Sequence, residues 1–176
     1  MSKIFTITAG HSNTDPGAVS GKRKESDIAV DMRNMVAYYL IEAGATVVTD
    51  GKAKDNKNLN EAIKLAKAKS NDIDIEFHCN AAASSTAKGV ELLADKKHKA
   101  LCQKIAKSIA TTLNTTVRGE GGWKPENSGQ HSKLGFVQAG GIICELFFIT
   151  NPKELETWDA KKWLVAKDVA RVLLEN

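Results

Sequence analysis

Two histidines and two glutamates stand where a site for metal-assisted hydrolysis could form. His11 and His78 each follow an apolar run that predicts a β-strand, and Glu25 begins the helical pattern after the first run. Hydrolases commonly hold zinc through three His or Glu side chains and leave the fourth position to water. The spacing therefore allows His11, Glu25 and His78 to meet at one edge of a sheet, although either histidine alone is more typical of a structural residue.

The second glutamate, Glu145, interrupts the apolar run 141–149. An ionised carboxylate is costly to bury without a partner, so a charge in the middle of this run needs an explanation. A salt bridge to a lysine or an outward-facing edge strand would be a structural explanation. We favour a functional one, because buried carboxylates with perturbed pKa values cluster at functional sites.

Alternating strand and helix patterns predict the elements that position these residues. Apolar runs bounded by turn residues predict strands over 3–8, 45–49, 73–77, 89–94 and 141–148. Apolar residues with helical periodicity predict helices over 25–43, 58–69, 96–113 and 154–174. This alternation favours an α/β fold with a mostly parallel, twisted sheet and helices on both faces. The segment 115–132, rich in Gly, Asn and Ser, predicts a long loop.

Composition narrows the class of protein. The 176 residues, 42% hydrophobic and 26% charged, suit one globular domain, and no run is long enough to predict a transmembrane helix. Three cysteines without CxxC spacing favour reduced thiols over disulfides or a cysteine zinc site. The net charge of +4 comes from scattered lysines, so we expect no nucleic-acid partner.

Five sequence blocks, in order over nearly the whole chain, carry a family resemblance. They are 11–18 (HSNTDPGA), Glu25 with Asp27, 77–81 (FHCNA), 89–91 (GVE) and 144–152 (CELFFITNP). Together they resemble the zinc N-acetylmuramoyl-L-alanine amidases of the Amidase_3 type. The chain departs from the usual pattern at Cys79, where alanine is more common, and at Phe147, in a region where glycine is common.

The resemblance implies a role for each of the four residues. His11, Glu25 and His78 match the ligands of one Zn2+ ion, with Asp27 as the alternative to Glu25, and Glu145 matches the glutamate that acts as general base and acid. The implied reaction is hydrolysis of the amide bond between N-acetylmuramic acid and L-alanine in peptidoglycan. The alternatives are a zinc peptidase that cuts within the stem peptide and a non-catalytic wall-binding domain.

Four more residues are candidates for supporting roles. Asp15 and Asn80 lie next to the predicted ligands and could orient the histidines through hydrogen bonds. Trp123 and His131, in the predicted loop, could contact the substrate, although loop residues often have no such role.

The resemblance also leads to expectations about biology. We expect one catalytic domain over residues 1–176, with no separate wall-binding domain, acting as a monomer on peptidoglycan. The N-terminal residues do not match a signal peptide. We therefore expect a phage or prophage endolysin that stays in the host cytoplasm until a holin releases it to degrade the cell wall and lyse the host.

Overall fold

The computed structural model describes residues 3–68, 71–128 and 133–176. Its first half contains, in chain order, β1 (Ile4–Ala9), β2 (Val19–Ser20), β3 (Arg23–Lys24), α1 (Glu25–Glu42), β4 (Thr46–Thr49), α2 (Leu59–Ala66) and β5 (Ile73–Asn80). Its second half contains β6 (Glu91–Leu93), a 3-10 turn (Lys96–His98), α3 (Lys99–Leu113), β7 (Trp123–Lys124), α4 (Gly135–Gln138), β8 (Ile142–Phe148) and α5 (Pro152–Glu175).

The described residues form a six-stranded sheet in the order β4-β1-β5-β8-β6-β7, and β2 and β3 pair separately as a small hairpin. β4, β1, β5 and β8 run parallel to one another, while β6 runs antiparallel to β8. β1 and β5 are therefore neighbours, and so are β5 and β8. Because the carboxyl ends of parallel strands meet at one edge of a sheet, His11 and His78 are brought to the same edge.

Helices cover both faces of the sheet. The larger core joins α1, α3 and α5 to one face, and Phe147 of β8 stacks on Trp158 of α5 there. A smaller core on the other face joins α2 and α4 to Ile143 of β8. This confirms the predicted α/β fold with a mostly parallel sheet and helices on both faces. Glu145 shares its face of β8 with Ile143, because side chains alternate along a strand.

Local chemistry explains where several elements differ from their predicted bounds. Asn58 and Asn151 cap α2 and α5 by accepting hydrogen bonds from backbone N–H groups of the first turn, so these helices begin at Leu59 and Pro152. β5 continues past the predicted end to Asn80. The predicted loop 115–132 contains β7 and a bridge between Val90 and Val117, so part of it belongs to the sheet.

Cys79, Cys102 and Cys144 are buried and free. Among the described residues, no helix is both long and apolar enough to span a bilayer.

Candidate metal centre and active-site cleft

Three side chains converge where β1 and β5 end. His11 follows β1 and adopts a left-handed backbone conformation with φ 68°, Glu25 is the first residue of α1, and His78 lies near the end of β5. One potential ligand atom from each lies within 4.8 Å of the other two. A non-glycine residue in the left-handed region is uncommon and strained, and such residues cluster at functional sites. The structure therefore brings together the three predicted metal ligands.

A single oxygen of Glu25 joins the two histidines. Its Oε1 lies 2.9 Å from Nε2 of His11 and 3.0 Å from Nδ1 of His78, and it accepts a hydrogen bond from the backbone N–H of Cys79. Oε2 of Glu25 accepts a hydrogen bond from the backbone N–H of Ala18 at 2.9 Å. Asp27, the alternative ligand, is exposed and lies outside this cluster.

The donor atoms of this cluster fit a divalent metal ion. Nε2 of His11 is buried and lies close to Glu25, yet no described residue is aligned to hydrogen-bond with it. Buried polar nitrogens are rarely left without a partner. Two imidazole nitrogens and one carboxylate oxygen are a donor set that zinc takes in hydrolases. These three residues could therefore hold a metal ion.

Each histidine is oriented by a second carboxylate on its other ring nitrogen. Nδ1 of His11 lies 3.0 Å from Oδ2 of Asp15, and Nε2 of His78 lies 3.0 Å from Oε1 of Glu76. Asp15 is itself fixed by a hydrogen bond from the backbone N–H of Gly17 to its Oδ1. Carboxylate-bound histidines are typical of metal sites, because the partner fixes the ring and raises its basicity.

Sequence reasoning missed Glu76. It lies two residues before His78 on β5, and residues two apart on a strand point to the same face. The same alternation that placed His78 at the sheet edge could have identified Glu76 as its neighbour.

Attraction between the histidines and the carboxylates outweighs burial in setting the pKa values of the cluster. Burial acts to lower the pKa of His78, but the carboxylates of Glu25 and Glu76 raise it well above 6.5. Burial also acts to lower the pKa of His11, but Glu25 and Asp15 raise it above 6.5. Burial acts to raise the pKa of Glu25, yet the two histidines hold it well below its usual value. Without a metal ion, these shifts favour protonated imidazoles beside an ionised Glu25.

Two glycines allow the backbone to lie close to the cluster. A Cβ at Gly10 would lie 2.2 Å from Cε1 of His78. A Cβ at Gly17, whose φ is +65°, would lie 2.5 Å from Nε2 of His11 and 2.7 Å from Oε2 of Glu25. Because side chains do not fit at such distances, the backbone can approach the cluster only where these residues are glycine.

Glu145 lies beside this cluster within the sheet. It pairs in register with His78 of β5 on one side and with Glu91 of β6 on the other. Its Oε2 atom is buried and has no hydrogen-bond partner among the described residues. Burial raises the pKa of Glu145 to about 7, with His78 opposing the shift and Glu25 adding to it. A carboxyl group with that pKa can both accept and donate a proton near neutral pH.

A cleft of about 650 Å³ opens over these residues. Its lining includes the three candidate ligands and Glu145, together with Asn80, Glu91, Arg118 and Phe148. Asn80 is not among the hydrogen-bond partners of either histidine, which are Asp15, Glu25 and Glu76. Sequence reasoning did not single out Arg118.

The remaining predicted candidates lie elsewhere. Trp123 is outside the lining of this cleft: its indole N–H donates to the carbonyl oxygen of Ala94 at 2.9 Å, and Nζ of Lys99 lies 5.2 Å from its ring centroid. His131 lies outside the described residues. Phe147, one of the departures from the family pattern, is buried in the core and is not part of the cleft lining.

Comparison with known proteins assigns this arrangement to a family. The sequence profile of the N-acetylmuramoyl-L-alanine amidases of the Amidase_3 type matches residues 5–175. The chain belongs to this family. Family membership agrees with the predicted resemblance and extends over the sheet, the histidine and glutamate cluster and α5.

Individual members of the amidase family are also similar to the chain. The germination-specific N-acetylmuramoyl-L-alanine amidase of Bacillus subtilis is 28% identical over 166 residues, which cover 86% of this amidase and 69% of that protein. The structure of a provisionally named N-acetylmuramoyl-L-alanine amidase from Neisseria meningitidis matches with a TM-score of 0.88 and 48% identity, covering 97% and 93% of the two chains. The catalytic domain of the amidase CwlV from Bacillus (Paenibacillus) polymyxa var. colistinus matches in fold, with a TM-score of 0.83 and 24% identity, covering 98% and 97%.

Proposed function

We propose that this chain hydrolyses the amide bond between N-acetylmuramic acid and L-alanine in peptidoglycan, with one zinc ion held by His11, Glu25 and His78. The observation that carries the proposal is the shared Oε1 atom of Glu25, 2.9 Å and 3.0 Å from the two histidines, beside a glutamate paired with His78. Family membership supports the substrate, and the donor set supports the metal.

The protein residues have separate roles in the proposed hydrolysis. A zinc ion bound there would supply Lewis acidity, which lowers the pKa of a water molecule and polarises an amide carbonyl. Asp15 and Glu76 hold the two imidazole rings in the orientation that presents one nitrogen of each to the centre. Glu145 accepts a proton from the attacking water and returns it to the leaving amine of L-alanine, so that one water is consumed and no proton is lost.

The environment of Glu145 gives it a pKa that suits both roles, as base and then as acid. As a carboxylate it is a base, and its pKa of about 7 makes the protonated form accessible once it has taken the proton. A non-catalytic wall-binding domain would have no use for an unpaired carboxylate atom beside a metal-type cluster, and burying one is costly. We therefore favour the enzyme over the wall-binding alternative.

A digest of purified peptidoglycan tests the proposal. Mass spectrometry should find lactyl-muramic ends without peptide and new free L-alanine amines, and chelation of the metal should abolish both products. Cut stems with intact muramyl-alanine links would instead establish the stem peptidase. Binding without either product would establish the wall-binding domain.

The role in host lysis stays a prediction. We propose an endolysin that accumulates in the host cytoplasm and reaches the wall through a holin. The Bacillus subtilis relative, by contrast, is named a germination-specific amidase. Expression of the chain in bacteria with and without a membrane-permeabilising protein tests this proposal. Lysis only in the presence of that protein supports it, whereas lysis by the chain alone contradicts it.

A further inference from the structure

Arg118 is the one lysine or arginine among the described residues that line the cleft. The other charged groups of the lining are carboxylates or the clustered histidines. The side chain of Arg118 is 38% exposed where it lines the cleft. A permanent cation in this position could bind a negatively charged group of a ligand in the cleft.

The protein does not fully neutralise this cation. Nε of Arg118 donates to Oε2 of Glu91 at 2.7 Å, and Nζ of Lys124 lies 2.8 Å from the same oxygen. Two positive charges on one carboxylate leave a net charge of +1. Nη1 of Arg118 donates to the carbonyl oxygen of Lys88 at 3.4 Å, and no described residue accepts a hydrogen bond from Nη2.

Arg118 is also held in place before any ligand arrives. Its backbone N–H donates to the carbonyl oxygen of Val90 at 2.9 Å, and its guanidinium carbon lies 4.9 Å from the ring centroid of Phe148. Gly89, with φ +112°, leaves space for it, because a Cβ there would lie 2.9 Å from Cγ of Arg118. A guanidinium fixed in this way binds a carboxylate with little loss of side-chain entropy.

Its position relative to Glu145 indicates which carboxylate it would meet. Glu91 pairs with Glu145 on the neighbouring strand, about 4.8 Å away, and Arg118 is bonded to Glu91. In an extended peptide each residue spans roughly 3.5 Å, so the residue after L-alanine lies about 7 Å from the cleaved nitrogen. Arg118 lies about one strand spacing plus one 2.7 Å hydrogen bond from the backbone position of Glu145, which is of the same order as the span of this peptide.

We propose that Arg118 forms a subsite for the free α-carboxylate of the second residue of the peptide stem, D-glutamate linked through its side chain. This inference rests on the proposed amidase function and adds a substrate preference to it. Stems in which that carboxylate is converted to a carboxamide lose the charge, so the enzyme discriminates against them. Arg118 thereby selects among peptidoglycans by their amidation.

The test compares two synthetic substrates, muramyl-L-alanyl-D-glutamate and its carboxamide, on four proteins. The wild type should cleave the acid with kcat/KM about 10-fold to 100-fold above the carboxamide, the range expected for one charge-assisted hydrogen-bonded contact. In R118Q this preference should fall to less than about twofold, with R118K intermediate because a lysine lacks the bidentate fork. R171Q is the matched control: Arg171 bonds Glu175 on the exposed face of α5 and lies outside the cleft lining, so the preference should remain.

Three results would overturn the inference: a wild type that does not discriminate, an R118Q variant that retains the preference, or an R171Q variant that loses it as fully as R118Q. Circular dichroism establishes that the variants are folded, and wild-type discrimination decides the question by itself should R118Q not fold. A wild type that cleaves neither substrate refutes the amidase function instead. In that case calorimetric binding of the two compounds to the zinc-loaded wild type still tests the subsite, because binding does not require cleavage.

Discussion

His78 and Glu145 face each other across two adjacent parallel strands, paired in register on the same face of the sheet. Paired residues on neighbouring strands are held about 4.8 Å apart by the backbone ladder rather than by a loop. The proposed acid and base is therefore fixed relative to a proposed metal ligand by the most rigid part of the molecule. Sites built on sheet strands hold reacting groups more accurately than sites on loops.

The first prediction concerns Glu145→Gln. We expect kcat to fall by roughly 10²-fold to 10⁴-fold, the usual contribution of a general acid and base, while bound zinc stays at one ion per chain. The melting temperature should stay the same or rise, because the change removes an unpaired buried carboxylate atom. Activity assays, metal analysis and thermal unfolding measure the three quantities.

Glu126→Gln provides the control for this experiment, since Glu126 also lines the cleft but its Oε2 accepts a backbone hydrogen bond from Leu134. It should retain activity within a fewfold of the wild type. Full activity in Glu145→Gln would remove Glu145 from the mechanism.

The second prediction compares two glycines with similar backbone conformations. Gly17 and Gly21 have φ +65° and +58°, but a Cβ at Gly17 would meet His11 and Glu25, whereas a Cβ at Gly21 has nothing within 4 Å. Alanine at Gly21 should cost about 1–2 kcal/mol of unfolding free energy because of the left-handed backbone, and alanine at Gly17 should cost more, because its Cβ also displaces the cluster. Only Gly17→Ala should also weaken zinc binding, by at least about tenfold. Denaturant unfolding and a zinc titration separate the two effects, and equal zinc affinities in the two variants would contradict the prediction.

The sequence was informative where one residue alone carried the signal. A charge within the apolar run of β8 identified Glu145, and helical periodicity placed the start of α1 at Glu25. The sequence left Glu25 and Asp27 as alternatives, because Glu25 follows three basic residues, 22–24, and its role as a ligand depended on the alignment with the family pattern. Packing distinguishes them: Glu25 is buried against the histidines and Asp27 faces outward.

The features that sequence reasoning missed depend on contacts between distant segments. Arg118 reaches the cleft because the segment before β7 pairs with Val90, and composition alone predicted a loop there. The reversed direction of β6 is likewise set by which neighbour it pairs with, which local periodicity does not encode. α4 is only four residues long, too short for a helical pattern to stand out.

The third prediction tests the carboxylates behind the histidines. Asp15→Asn and Glu76→Gln should each weaken zinc binding by roughly 10-fold to 100-fold, because they remove the charge that fixes a ring and raises its basicity. Asp27→Asn is the matched control, since Asp27 is exposed and lies outside the cluster, and it should bind zinc as the wild type does. Competition with a chromophoric chelator gives the three affinities. A large loss in Asp27→Asn with none in the other two variants would return Asp27 to the ligand set.

The fourth prediction concerns the effect of pH on zinc binding and on stability. In the metal-free protein, His11 and His78 have pKa values raised above 6.5, so their contribution to stability is fully present below pH 6.5 and is lost as the pH rises through those raised values. Glu25, whose pKa is lowered from 4.5, contributes stability above that pH, and the contribution is lost as the pH falls through its lowered pKa.

Zinc must displace the protons of both imidazoles, so its affinity should rise with pH and its binding should release protons at pH 7. The increase in melting temperature on adding zinc should therefore grow from pH 6 to pH 8, as protons stop stabilising the cluster and the metal replaces them. Calorimetry in two buffers with different ionisation enthalpies counts the released protons, and thermal unfolding with zinc or with a chelator measures the stabilisation. His98→Gln is the control, because His98 bonds the carbonyl oxygen of Gly140 away from the cluster and should leave the proton count unchanged. Zinc binding without proton release at pH 7 would show that His11 and His78 are already neutral and that the carboxylates do not raise their pKa values as the structure indicates.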